Sequence, residues 1–129
     1  MTERDPNKDD VDRFLNDNID TVPHLEALLL LWNSRPRDWP VGEMAERLFL
    51  SADSTTEILS DLVRLGLVGC SPDSPNNYFC PKDSRQEQIL ADVDATYRHE
   101  LIRVSRLIHS KPSAAVRAFA RAFRFKKGD

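Results

Sequence analysis

Three neighbouring hydroxyl side chains, Ser54, Thr55 and Thr56, are the residues of this chain whose types and spacing best suit recognition chemistry. They precede the apolar positions of a predicted helix, where a hydroxyl oxygen can accept a hydrogen bond from an unpaired backbone N–H. On a helix that lies against a nucleic acid, the same hydroxyls can bond bases or phosphates. The sequence therefore leaves two interpretations open, helix capping and nucleic-acid contact.

The two cysteines and three histidines lack the spacing of a zinc site, so no metal is predicted. Cys70 and Cys80 fall on two predicted strands, and with a hairpin centred near Pro75 they would face each other across it. A cross-strand disulfide is then geometrically possible. In a reducing compartment two buried thiols are the favoured interpretation, and a redox switch is the alternative.

Catalysis is not expected from this sequence. It contains no nucleophile-elbow or zinc-protease motif, and its four glycines are too dispersed to form a phosphate-binding loop. The carboxylates of Asp92 and Asp94 would lie too far apart around a helix to share a proton. No cofactor is predicted.

Length and composition indicate one domain, because the chain has 129 residues, 40% of them hydrophobic and 30% charged. The net charge of −3 excludes a strongly basic coat protein of nucleic acid but leaves room for a local basic face. The N-terminus has no apolar signal region, and the longest apolar run, Ala27 to Trp32, is too short to span a bilayer. The predicted location is the cytoplasm, without integral membrane contact.

The periodicity of apolar residues predicts four helices and a hairpin in the first two thirds of the chain. A short helix from Val11 precedes a nearly all-apolar helix that Asp20 or Thr21 caps. An amphipathic helix over Val41 to Leu50 carries Phe49 on its apolar face, and the next helix ends at Gly66 in a left-handed cap. Two short strands around a turn follow. The predicted core takes one face from each helix: Leu25, Leu28, Leu29, Trp32, Met44, Ala45, Leu48, Ile58, Leu59, Leu62 and Leu65.

The last third is predicted to be helical again. One helix from Arg85 to His109, about seven turns long, would carry an apolar stripe too long for one small domain to cover. We therefore predict a homodimer built on that stripe. Its predicted members are Ile89, Val93, Tyr97, Leu101, Val104 and Ile108. A basic amphipathic helix over Ser113 to Lys127 follows, and we expect its phenylalanines to dock on the dimer rather than on anionic lipid.

This order of elements resembles the winged helix-turn-helix fold, and most closely the MarR-like bacterial transcriptional regulators. The resemblance runs from His24 to Lys82, through HLEALLLLW, VGEMAERLFLSADSTTEILSDLVRLGLV and CSPDSPNNYFCP. It implies a mainly α fold with a small β-wing, a recognition helix at about Ala52 to Leu65, and outer segments that serve dimerisation. We expect a tail over residues 1–10, a winged helix over 11–83, and a helical dimerisation or docking region over 84–129.

The predicted recognition helix is acidic for a DNA-binding surface, since Asp53, Glu57 and Asp61 stand against Arg64. The function implied by the resemblance, a regulator of transcription bound to double-stranded DNA, then needs help from flanking cations. The predicted DNA contacts are Ser54, Thr55, Thr56, Arg64, Arg35, Arg37, Arg47, Lys82 and Arg85. Two alternatives stay open: the acidic face binds a basic protein, or the basic C-terminal helix docks peripherally on a membrane or partner.

Overall fold

The computed structural model of the chain describes residues 8–70, 76–81 and 83–111. Within them the chain forms helices and one antiparallel pair of strands, which confirms the predicted mainly α fold with a small β-wing. The elements in chain order are α1 (Lys8–Asn18), α2 (Val22–Asn33), α3 (Val41–Leu48), α4 (Ala52–Arg64), β1 (Val68–Cys70), β2 (Asn77–Phe79), α5 (Ser84–His99) and α6 (Leu101–His109).

Several predictions fall outside the described residues. They concern most of the N-terminal tail, the tip of the wing at 71–75, Lys82, and the basic amphipathic helix of Ser113 to Lys127. Helix α1 begins at Lys8, inside the range expected to be tail. None of the described helices is long and apolar enough to cross a membrane.

Helix α2 lies at the centre of the fold, as its apolar sequence predicts. Thr21 caps it by accepting a hydrogen bond from the backbone N–H of His24, and Pro23 occupies the first turn, where its missing N–H costs nothing. It contacts α3, α4, α5, α6 and β2, and its buried side chains include Leu25, Leu28 and Leu31. A helix that is apolar nearly all round is stable only when other elements cover it on every side.

The register of α4 also agrees with the sequence prediction. Ser51 caps the helix through its Oγ, which accepts a hydrogen bond from the N–H of Ser54 at 3.1 Å. Gly66 ends the helical region with a φ of 79°, a conformation that glycine adopts without steric cost. Leu59 and Leu62 are buried while Arg64 is exposed. The helix therefore packs one apolar face on the core and turns a polar face outward.

The prediction that Phe49 belongs to the apolar face of α3 is wrong. Helix α3 ends at Leu48, and Phe49 takes a left-handed conformation with a φ of 59°. This turn reverses the chain toward α4 and leaves the phenylalanine ring 93% exposed. Helical periodicity could not place Phe49, because the residue lies one position beyond the end of the helix.

Replacing Phe49 by glycine should stabilise the protein by about 1 kcal/mol relative to replacing it by alanine. Both substitutions remove the exposed ring, but only alanine keeps the Cβ atom that disfavours the left-handed region. Urea unfolding of the two variants measures this difference. Equal midpoints, or a less stable glycine variant, would contradict a strained backbone at this turn.

The wing hairpin is attached to the connection between α2 and α3. Strands β1 and β2 pair Val68 with Phe79 and Cys70 with Asn77. On its other edge Asn77 exchanges two backbone hydrogen bonds with Trp39, at 2.8 and 2.9 Å. The Trp39 ring is buried, and its Nε1 donates to Ser34 Oγ at 2.8 Å. The base of the wing is therefore fixed to the body of the domain by a third extended segment.

The prediction that Cys70 and Cys80 face each other across the hairpin is wrong, because the strands pair in a different register from the expected one. Cys70 lies opposite Asn77, while the N–H of Cys80 bonds to the carbonyl of Leu67 beyond the end of the ladder. No disulfide joins the two cysteines, and both are exposed. The favoured interpretation of two buried thiols is therefore wrong as well.

The predicted long C-terminal helix is divided at Glu100, whose φ of −131° and ψ of 47° end α5 and start α6. Its carboxylate accepts a hydrogen bond from Arg103 Nε at 2.8 Å and lies 3.5 Å from Lys8 Nζ. The bond from Arg103 lowers the pKa of Glu100 below its ordinary value. Arg103 also binds both carboxylate oxygens of Asp12 in α1, at 3.1 Å. Contacts between helices thus favour a break that local periodicity does not show.

The expectation that a single chain leaves the C-terminal stripe uncovered is wrong, because α1 packs against both α5 and α6. Val93, Val104 and Ile108 are buried in the core of this chain. Ile89 and Tyr97 pack partly against the same core. Only Leu101, at 50% exposure, is largely open to solvent among the predicted dimerisation residues. Helix α1 also contributes Val11, Leu15 and Ile19 to the core that it shares with the C-terminal helices.

Candidate nucleic-acid interface

The outward face of α4 carries the hydroxyl side chains that the sequence analysis predicts to contact a nucleic acid. Helix α4 packs on α2 and α3 through Ile58, Leu59 and Leu62. The opposite side is polar and open to solvent over the length of the helix. Its exposed residues are Ala52, Asp53, Ser54, Thr56, Glu57, Ser60, Val63 and Arg64.

Of the three hydroxyl residues predicted to contact DNA, the structure places two on this face. Ser54 and Thr56 are exposed, and Thr56 Oγ1 donates to the carbonyl of Ala52 at 2.9 Å. Thr55 is fully buried, and its Oγ1 donates to the carbonyl of Ser51 at 2.9 Å. The prediction of Thr55 as a DNA contact is therefore wrong. Its position three residues before Ile58 and four before Leu59 puts it on the inner face of the helix.

Asp61 does not project freely from α4, because a buried histidine holds it. His24 Nε2 lies 2.8 Å from Asp61 Oδ2, and His24 Nδ1 lies 2.6 Å from Thr21 Oγ1. Since a carboxylate only accepts hydrogen bonds, Nε2 is the donor in this contact. Arg64, one turn along the helix, forms an ion pair with Asp61. The contact between His24 and Asp61 thus bridges the first turn of α2 and the last part of α4.

No sequence pattern predicts the contact between His24 and Asp61. His24 and Asp61 are 37 residues apart, and each has a local explanation, a first-turn histidine and a solvated carboxylate. Their contact depends on how α2 and α4 cross. Because Asp61 and Arg64 pair with each other, the other outward charges of α4 are those of Asp53 and Glu57. The exposed face therefore remains acidic.

Arg35 and Arg37 lie beside the wing, where aromatic rings support both guanidinium groups. The Arg35 guanidinium carbon is 3.4 Å from the centroid of the Trp32 ring and 6.0 Å from that of Phe79. Arg37 stands 3.8 Å over the Trp39 ring and pairs with Glu43. Stacking on a ring limits the positions a guanidinium can take while leaving its donors available. These two predicted contacts are brought together next to the hairpin.

The other predicted cations lie elsewhere. Arg47 lines a groove formed by α2, α3 and α5, while Arg85 lines a second groove between α1 and α5. Lys82 is outside the described residues. The structure thus gathers Arg35 and Arg37 at the wing and separates Arg47 and Arg85 from them.

Comparison with known proteins identifies relatives by structure only, since no protein-family model and no curated protein sequence matches the chain. A MarR family transcriptional regulator from Streptomyces coelicolor is 27% identical with a TM-score of 0.53, covering 94% of this chain and 84% of its own. A MarR family protein from Bacillus stearothermophilus is 22% identical with a TM-score of 0.52, covering 94% and 82%. The multiple antibiotic-resistance repressor of Listeria monocytogenes is 13% identical with a TM-score of 0.51, covering 94% and 83%. In structure, this chain is similar to MarR family transcriptional regulators over about 94% of its length.

Proposed function

We propose that this protein is a regulator of transcription that binds double-stranded DNA with α4 in the major groove. The observation that carries the proposal is the exposed polar face of α4, with Ser54 and Thr56 directed outward, in a fold similar to that of MarR regulators. A helix of this kind can enter the groove and bring short hydroxyl side chains to base edges or phosphates. A regulator of bacterial genes would work in the cytoplasm, where the DNA is.

In this proposal the phosphate contacts come from the edge of the site rather than from α4 itself. Arg35 and Arg37 lie beside the wing, and each is positioned by an aromatic ring. Asp53 and Glu57 face the major groove of the DNA and repel its phosphates. Few neutralised phosphates imply a shallow dependence of affinity on salt, with a slope of about −0.9 for each phosphate contacted.

Reversing the charge of Asp53 and Glu57 to lysine should tighten binding to DNA of any sequence. The salt slope should steepen by about 0.9 for each lysine that reaches a phosphate. Thr56→Ala should weaken binding only to a preferred sequence, because a hydroxyl that reads a base carries sequence information. Fluorescence anisotropy with random duplex and with DNA from upstream of the gene, over a series of salt concentrations, measures both effects.

The matched control is the variant Asp9→Lys/Glu87→Lys, which changes the net charge equally on exposed positions of α1 and α5. It should leave the slope close to that of the wild type. Asp61 is left unchanged in these variants, because its reversal would break the contact with His24. If neither the wild type nor the α4 variant binds DNA at low salt, the proposal is wrong.

A second candidate function is the binding of a basic protein to the same face. The observation that favours it is the combination of two carboxylates on α4 with an exposed apolar side chain on the same helix, Val63. Apolar residues beside charge of one sign are typical of protein interfaces. A basic protein that co-purifies with the wild type, but not with Asp53→Lys/Glu57→Lys, would support this function over DNA binding.

We further propose that the protein is a homodimer joined through its C-terminal helical region. Leu101 and Ile102 at the start of α6 are 50% and 63% exposed. Neighbouring large aliphatic side chains at this exposure are an apolar patch that a two-fold interface would bury on both chains.

A further inference from the structure

A groove of about 440 Å³ runs between α1 and the N-terminal half of α5. Two half-buried apolar side chains line it, Phe14 from α1 and Ile89 from α5. Carboxylates outnumber guanidinium groups in the lining. The charged residues of the groove are Asp10, Asp17, Asp83 and Asp92 against Arg13 and Arg85. The groove therefore offers an apolar surface framed by net negative charge.

The described part of the chain ends next to this groove. Lys111 Nζ donates hydrogen bonds to the carbonyl oxygens of Leu15 and Ile19, at the C-terminal end of α1. Asp17 and Asn18, which lie between those two residues in sequence, line the groove. Residue 112 therefore follows a residue whose side chain is bonded to the end of α1, the helix that lines one side of the groove.

The sequence of residues 112–129 complements the groove in charge and in apolar character. It contains three phenylalanines and five basic residues, with Asp129 as its single acidic residue. At helical spacing Phe119 and Phe123 share one side, opposite Arg117, Arg121 and Arg124. Eighteen residues span about 27 Å even when helical, whereas Asp10 and Asp17 are about 11 Å apart along α1. The segment is long enough to follow the whole groove.

We propose that residues 113–127 bind in the groove between α1 and α5 of their own chain. Phe119 and Phe123 pack on Phe14 and Ile89, and the long arginine side chains reach back around the segment to the carboxylates at the rim. The groove lined by Arg47 and Phe49 is a poorer match, because its charged residues Glu26, Asp94, Arg47 and Arg98 balance. Burial of two phenylalanines supplies most of the driving force, and charge selects the groove.

Amide hydrogen exchange of the full-length protein tests this proposal. Amides of residues 116–124 should exchange at least about tenfold more slowly than in a free peptide of the same sequence. The groove variant Asp10→Lys/Asp17→Lys should remove that protection, whereas the matched variant Asp53→Lys/Glu57→Lys on α4 should retain it. Arg117→Asp/Arg121→Asp should also remove the protection. Combining it with the groove variant should restore it, since the opposite charges then face each other again.

Carbodiimide cross-linking distinguishes the chain's own segment from that of a second copy. In a mixture of isotope-labelled and unlabelled protein, we expect Lys126 or Lys127 to link to groove carboxylates within one chain. Links found only between labelled and unlabelled chains would overturn the proposal in favour of an exchanged segment. Exchange of residues 116–124 at the free-peptide rate in the wild type would overturn it as well.

Discussion

Replacement of Ile108 by alanine should lower the free energy of unfolding by about 2–5 kcal/mol, the cost of truncating a large buried aliphatic side chain. Ile108 is only 1% exposed in a single chain, in the core that α6 shares with α1 and α2. Chemical denaturation followed by circular dichroism at low protein concentration measures the loss. A cost below about 1 kcal/mol would show that this position is not packed as described.

The matched control for Ile108 is Leu101→Ala on the same helix. Because Leu101 is 50% exposed, its truncation should change the stability of the single chain by less than about 1 kcal/mol.

If Leu101 and Ile102 form the proposed dimer interface, Leu101→Asp/Ile102→Asp should convert the dimer to a folded monomer in light scattering at micromolar concentration. A wild type that is already monomeric under these conditions would contradict the dimer.

Trp39→Ala should destabilise the protein by about 3–5 kcal/mol, as expected for loss of a buried tryptophan ring. The residue has two structural roles, since its ring fills the core and its backbone pairs with Asn77 of β2. We expect the remaining backbone ladder to loosen when the ring no longer anchors it. We expect the Asn77 amide to exchange slowly in the wild type. In Trp39→Ala this protection should be lost at denaturant concentrations below the unfolding midpoint of the variant.

The control for Trp39 is phenylalanine, which keeps an aromatic ring but removes the donor to Ser34 Oγ. Its cost should be smaller, about 1–3 kcal/mol, because it combines a lost hydrogen bond with a modest loss of volume. If alanine and phenylalanine proved equally destabilising, the hydrogen bond rather than the packing of the ring would dominate. The proposed anchoring of the wing by the Trp39 ring would then be wrong.

The exposure of residues on α4 could be predicted from the sequence, because a single helix decides which of its positions face outward. The spacing of Ile58, Leu59 and Leu62 defines the inner face of α4 and hence the outward position of Thr56. The same spacing also assigns Thr55 to the interior, where the structure places it. The grouping of Arg35 with Arg37 beside the wing was not predictable, because it depends on Trp32, Trp39 and Phe79 meeting in space.

The amino-acid sequence by itself determined the order of helices and hairpin, a cap of α2 at Asp20 or Thr21, the cap of α4 at Ser51, and the left-handed end at Gly66. These features arise from interactions within a few residues, so periodicity and capping chemistry are sufficient to predict them. Tertiary structure alone decided the break at Glu100, the covering of the C-terminal stripe by α1, and the bridge from His24 to Asp61. Each depends on a partner dozens of residues away in the sequence. The energy of such contacts is set by how the helices cross, which no local pattern encodes.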